Sequence, residues 1–188
     1  ANIETESRAC VAGGITSFME MPNTKPPAVN KEALEAKYER GRISSRANYA
    51  FYMGATNDNL ADIQKLDPKA APGIKVFMGS STGDLLVEDD DGVASILRNT
   101  RRRAAFHSED EYRLADRRKL ARQGDWTSHY EVRDAEAAIS STRRLIRLAR
   151  KTGKRIHVLH VTTGEEMEML AANKDIATCE VTPQHLTL

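Results

Sequence analysis

Cysteine is scarce in this chain. Cys10 and Cys179 are its two, too few for a disulfide framework, and such usage points to a reducing, cytoplasmic setting. Long apolar runs are missing as well, and nothing approaches the roughly 20 residues of a membrane span. The opening Ala1-Asn2-Ile3-Glu4-Thr5-Glu6 lacks the basic-then-apolar order of a secretory signal. Neither sign of charge is in excess: 28 Lys and Arg face 27 Asp and Glu, for a net charge of +1. That balance gives no electrostatic case for nucleic acid or an anionic membrane surface. Arg101-Arg102-Arg103 and Arg143-Arg144 read as solvated helix faces. No initiator methionine opens the chain, Glu4–Ala12 reads as the latter part of a helix, and Thr187-Leu188 stops just after a strand. An internal piece of a longer protein is therefore expected.

What is present is alternation. Strand signals fall at Ile15–Met21, Asn48–Met53, Ile74–Met78, Ala104–His107, Arg155–Val161 and Thr178–Val181, short apolar runs bounded by Gly, Pro, Asn or charge. Helix signals fall between them, at Lys31–Ser45, Leu60–Lys65, Val87–Asn99, Glu111–Gln123, Asp134–Lys151 and Glu165–Ala172. The fifth is the clearest. Ala138, Ile139, Thr142, Leu145, Ile146 and Ala149 share one face, and Thr152-Gly153 offers a left-handed cap. Strand–helix repetition implies an α/β fold with a parallel sheet. An open doubly wound sheet usually carries a glycine-rich phosphate loop after its first strand. Here Met21-Pro22-Asn23-Thr24-Lys25-Pro26-Pro27 stands there instead. Polar residues at several strand ends favour a (β/α)8 TIM barrel. About six strands are counted, and a whole barrel takes at least about 200 residues. The reading is one incomplete barrel domain over residues 1–188, with a strand missing at each end.

Three side chains carry the chemistry. Lys75 lies inside the apolar run Gly73-Ile74-Lys75-Val76-Phe77-Met78-Gly79, where a charge is costly unless something uses it. His107 ends Ala104–His107, with Glu109 two residues on. His160 ends the run from Arg155. A neutral amine can add carbon dioxide to form a carbamate, whose two oxygens can bridge metal ions. Neutral imidazole ligates zinc. Two metal ions about 3.5–4 Å apart suit amide hydrolysis. A bland alternative stays open: Lys75 snorkels past the strand end to water. His107 and Glu109 form either a simple ion pair or a ligand oriented by its neighbour. His157 and His160 are three apart and should face opposite sides of a strand, which makes His157 a packing or surface residue. His129 reads as a surface or structural residue. His185 reads as part of a surface turn, with entry into the site from the next strand end as the alternative.

The motifs together resemble the cyclic amidohydrolases, and dihydroorotases in particular. Gly13-Gly14-Ile15-Thr16 through Met21-Pro22-Asn23-Thr24-Lys25-Pro26-Pro27 looks like the second-strand signature of dihydroorotases. Gly73–Met78 resembles the carboxylated-lysine strand. Phe106-His107-Ser108-Glu109-Asp110 is similar to the family's His-Ala-Glu-Asp segment. His157–Thr163 and Cys179–Leu186 resemble the sixth-strand histidine and the run after it. The resemblance implies two zinc ions bridged by Lys75 as its carbon dioxide adduct, with His107 and His160 as ligands of the second. It implies Asn23 as a contact to a substrate carboxylate, and Gly79–Gly83, with Ser81 and Thr82, as a mobile loop near the substrate. The implied reaction interconverts N-carbamoyl-L-aspartate and dihydroorotate in pyrimidine synthesis. A homo-oligomer, with aspartate transcarbamoylase as a candidate partner, is the expected assembly. Dihydropyrimidinase, hydantoinase and allantoinase chemistry, and a non-catalytic scaffold, are the rival readings.

The departures are specific. The family's first-strand His-x-His is absent from this sequence, and its general-base aspartate would lie beyond Leu188. Gln184 stands where dihydroorotases commonly have histidine.

Overall fold

The computed structural model describes residues 2–81 and 83–187. A helix α1 (Ile3–Ala12) leads to strand β1 (Ser17–Glu20), helix α2 (Lys31–Ser44) and strands β2 (Asn48–Phe51) and β3 (Met53–Gly54). Then follow α3 (Leu60–Lys65), β4 (Ile74–Phe77), α4 (Asp90–Asn99), β5 (Ala104–His107), α5 (Glu111–Arg117), α6 (Ser128–Val132) and α7 (Ala135–Thr152). Strand β6 (Ile156–Val158), α8 (Gly164–Ala171), β7 (Ala177–Cys179) and α9 (Gln184–Thr187) complete the described order.

All described strand pairs are parallel, and their order follows the chain: β1-β2, then β3-β4-β5-β6-β7. A doubly wound sheet reverses its order at a switch point. This sheet does not, which is the topology of a barrel wall. The segment read as one strand, Asn48–Met53, is divided. The Tyr52 N–H still donates to Glu20 O (3.0 Å), whereas Met53 donates to Gly73 O (3.4 Å) and Ala55 to Lys75 O (2.8 Å). One stave therefore changes neighbours midway, and six sequence strands become seven assigned ones.

Register sorts the residues into rows. Ile74, Ala104 and Ile156 pair across the sheet, as do Val76, Phe106 and Val158. These rows face the helices and are buried, packing with Val93, Leu97, Leu145 and Ala149 into the core. Each large side chain among them contributes about 1.5–3 kcal/mol by leaving water. The other rows run Lys75, Ala105, His157, Thr178 and Phe77, His107. The sheet is thus apolar toward the helices and carries polar residues on its inner face.

Local chemistry explains the helix ends. Asp134 caps α7 by accepting from the Ala137 N–H, and Gly153 closes it at φ 66°. Asn2 caps α1 in a reciprocal box with Thr5, and the described helix starts at Ile3. The helix expected over Glu111–Gln123 stops at Arg117 and tightens to a 3₁₀ turn, Arg118–Leu120. Arg144 is not a solvated residue. Its side chain is largely covered and reaches Glu88 O (2.8 Å) and Asp90 (3.3 Å), tying α7 to the start of α4.

Candidate metal centre

The site lies at the carboxyl ends of β4, β5 and β6. Lys75 is 2% exposed, so its stem does not snorkel. Its Nζ lies 3.3 Å from Val76 O and 3.9 Å over the Phe77 ring. Burial lowers its pKa from 10.5 to about 7, against a smaller upward pull from Glu180. A large neutral-amine fraction therefore exists at ordinary pH. The Phe77 ring is 5.9 Å from the His107 ring, and the His107 ring 4.9 Å from that of His160. The amine can thus lie no further from His107 than the two short steps through Phe77.

The histidines meet directly. His107 Nδ1 lies 3.1 Å from His160 Nε2, and His107 Nε2 lies 2.8 Å from Glu109 Oε2. Glu109 is buried, which by itself would raise its pKa. Hydrogen bonds from His107 and Arg133 and the Arg133 charge overcome this and hold it near 2. A carboxylate can only accept, so His107 Nε2 donates to Glu109 and its Nδ1 is the ring nitrogen turned to His160. Burial lowers the His160 pKa to about 4, helped by His107 and Lys75. His160 is therefore neutral at physiological pH. Two nitrogens each about 2.0–2.1 Å from one tetrahedral zinc sit about 3.3 Å apart. The observed 3.1 Å gap fits one shared divalent cation. Among the described residues, no group of three or more His, Cys, Asp or Glu side chains is arranged as a metal cluster. The donor set at hand is two imidazoles with a nearby amine.

Both histidines of the sixth stave face inward. His157 shares the Lys75 row, bonding Thr178 Oγ1 (2.9 Å) and Glu180 (3.2 Å). The alternation rule fails because β6 ends at Val158 and His160 adopts φ +39°. That left-handed turn costs a non-glycine residue energy and swings its ring back over the inner face. Part of what surrounds it is polar and buried. Glu166 accepts from Thr142 (2.7 Å) and Thr163 (2.9 Å), and Ser108 lies 3.0 Å from Thr142. This fixes the segment after His160 against α7 and the end of β5.

The remaining expected residues are dispersed. Asn23 is exposed in the loop after β1 and is not among the residues lining the histidine cleft. Ser81 lies in the loop after β4 with a buried hydroxyl that has no described partner, and Thr82 lies outside the described residues. Next to them, the Ser80 N–H donates to Glu111 (2.8 Å). His185 Nδ1 accepts from Thr182 in its own turn. His129 is exposed, as the sequence suggests, and with Tyr130, Arg133 and Thr162 it also lines the cleft that holds His107 and His160. No spacing signal marks this α6 wall, because contact across 22 or more residues depends on the fold.

No family model matches the chain. Its sequence is 34% identical over 189 residues to the dihydroorotase of Pyrococcus abyssi, covering 99% of this chain and 40% of that protein. The chain is a homologue of the cyclic amidohydrolases. An allantoinase of Enterococcus faecalis is 31% identical, over 97% of this chain and 44% of its own length. The L-hydantoinase of Arthrobacter aurescens superposes with a TM-score of 0.91 at 24% identity, covering all of this chain and 44% of that one. That likeness supports the fold, an incomplete (β/α)8 barrel. The chain spans about 40% of the length of the curated amidohydrolases it matches. Among the described residues, no helix is long and apolar enough to cross a membrane.

Proposed function

We propose that the intact protein is a zinc-dependent cyclic amide hydrolase of the dihydroorotase kind, and that residues 1–188 are one partial barrel domain carrying half of its site. The observation that carries this reading is the convergence of His107 Nδ1 and His160 Nε2 at 3.1 Å beside a buried lysine. His107 and His160 would hold one zinc, and Lys75 would bridge it to a second. The neutral Lys75 amine adds to carbon dioxide: an N–C bond forms, one proton leaves, and an anionic carbamate with two oxygens results. When bound, the metal pair would polarise the amide carbonyl and acidify a water. The chain's own residues do the rest. Glu109 orients His107. His160 stays neutral, so one of its ring nitrogens keeps a lone pair that a metal could use. Asn23 is assigned to a substrate carboxylate, and the loop after β4, which carries Ser81, to the neighbourhood of the substrate. The general base is assigned to an aspartate beyond Leu188.

Dihydroorotate and N-carbamoyl-L-aspartate, in a cytoplasmic pyrimidine route, are the proposed substrate pair. A homo-oligomer, with aspartate transcarbamoylase as a candidate partner, is the proposed setting. A second reading is favoured by the allantoinase match: hydrolysis of allantoin or a related cyclic ureide. Assays of the intact protein on dihydroorotate, dihydrouracil and allantoin separate them. Activity on dihydroorotate is expected, and turnover of the other two alone overturns the assignment. Intact-mass analysis is expected to find one carbon dioxide on Lys75.

A further inference from the structure

Arg133 belongs to none of the sequence motifs, yet it completes a chain of contacts that ends on a proposed ligand. It follows α6, on the wall of the cleft. Its Nε donates to Glu109 Oε1 at 2.7 Å, and its second nitrogen donates to Oε2 of the same carboxylate. Both carboxylate oxygens are thus held in one planar fork, the geometry in which arginine fixes orientation as well as charge. Oε2 also faces His107 Nε2 at 2.8 Å, and the opposite ring nitrogen faces His160.

We propose that Arg133 is a positioning residue for the metal centre. Acting through Glu109, it locks His107 in the Nε2–H tautomer with the Nδ1 lone pair turned toward His160. A carboxylate gripped at one oxygen only can rotate about its terminal torsion, which is broad and soft. Its acceptor lobe then leaves Nε2, and the imidazole is free to move its proton to Nδ1, the nitrogen that must stay bare. The fork removes that freedom. An ordinary ion pair clipping the α6–α7 junction to β5 would hold the backbone and leave the tautomer unaffected.

This proposal rests on the reading of His107 as a ligand, and the test separates the two. Long-range ¹⁵N–¹H spectra of the metal-stripped intact protein report the His107 tautomer. Zinc competition against a chromophoric chelator reports affinity. Wild type should hold the Nε2–H form. Arg133→Met should give a mixture of tautomers and weaken zinc about 10–100-fold, the usual scale for groups that orient a ligand. Arg133→Lys keeps the cation but not the fork, and should fall between. It serves where the methionine variant does not fold. A pure Nε2–H tautomer with unchanged zinc affinity in the folded variant overturns the proposal. His107→Ala is the control for the ligand reading. If zinc affinity is unmoved there, that reading fails, while the tautomer spectrum still decides the role of Arg133.

Discussion

The rim of β4–β6 and the β1 edge are built from opposite materials. At the rim, polar groups are buried: Lys75, Glu109 and Glu166 are all under 10% exposed, and each except the amine is well bonded. At the edge, apolar groups are exposed: Met19 is 58% exposed, and Ile15 and Val11 are also open to solvent. Strand β1 pairs on one side with β2, and among the described residues its other side has no strand partner. Stability alone would place these residue types the other way round. Buried polarity without full neutralisation marks the region where function has been favoured over stability. The β1 edge shows apolar surface and an unpaired ladder among the described residues, as one open wall of an incomplete barrel does.

Substitutions test this contrast. The largest effect is expected at the rim. His160→Ala or His107→Ala in the intact protein should lower kcat/KM on the cyclic amide by about a thousand-fold or more, with zinc content falling in step. Activity kept within tenfold would remove the rim from the mechanism. Phe106→Ala, on the helix-facing row behind the site, should cost about 3–5 kcal/mol by leaving a cavity, read from denaturant unfolding.

Lys75→Met probes the buried amine itself. Its pKa is near 7 in the fold and 10.5 when unfolded, so between those values the unfolded chain holds a proton that the native chain lacks. Native stability therefore rises with pH across that window, and the penalty is complete below about 7. In metal-stripped protein, methionine should stabilise by about 1–4 kcal/mol at pH 6, with the gain gone by pH 10.5, while activity is lost. A gain that does not vary with pH would contradict the charged-burial account.

Gly79→Ala is expected to be smaller, about 1–3 kcal/mol destabilising, because its Cβ would meet Glu109 O at 2.5 Å. A shift of Glu109 should also show as weakened zinc binding. The smallest effect belongs to the edge. In the 188-residue chain, Met19→Lys should change stability within about 0.5 kcal/mol, read from denaturant unfolding. A large loss of stability would mean that the β1 surface is packed after all.

Much of this was legible in the residues. The alternation of strands and helices, the choice of a barrel over a doubly wound sheet, and Lys75, His107 and His160 as a group all follow from local pattern and motif. The local pattern also misled. Period-two alternation put His157 and His160 on opposite faces, and it failed because His160 leaves the strand through a left-handed turn. The Arg144 reading failed for a related reason. A charged or polar residue on a helix carries no mark of what another element, dozens of residues away, will set against it.

By itself, the sequence determined which groups were available and where the strand ends would place them, because side-chain type and hydrophobic period are local properties. Tertiary structure alone decided that the lysine stays out of water, that both sixth-stave histidines turn inward, and that Arg133 grips Glu109. Burial, backbone strain and a two-point ion pair exist only once distant segments are packed together, and no short window of residues contains them.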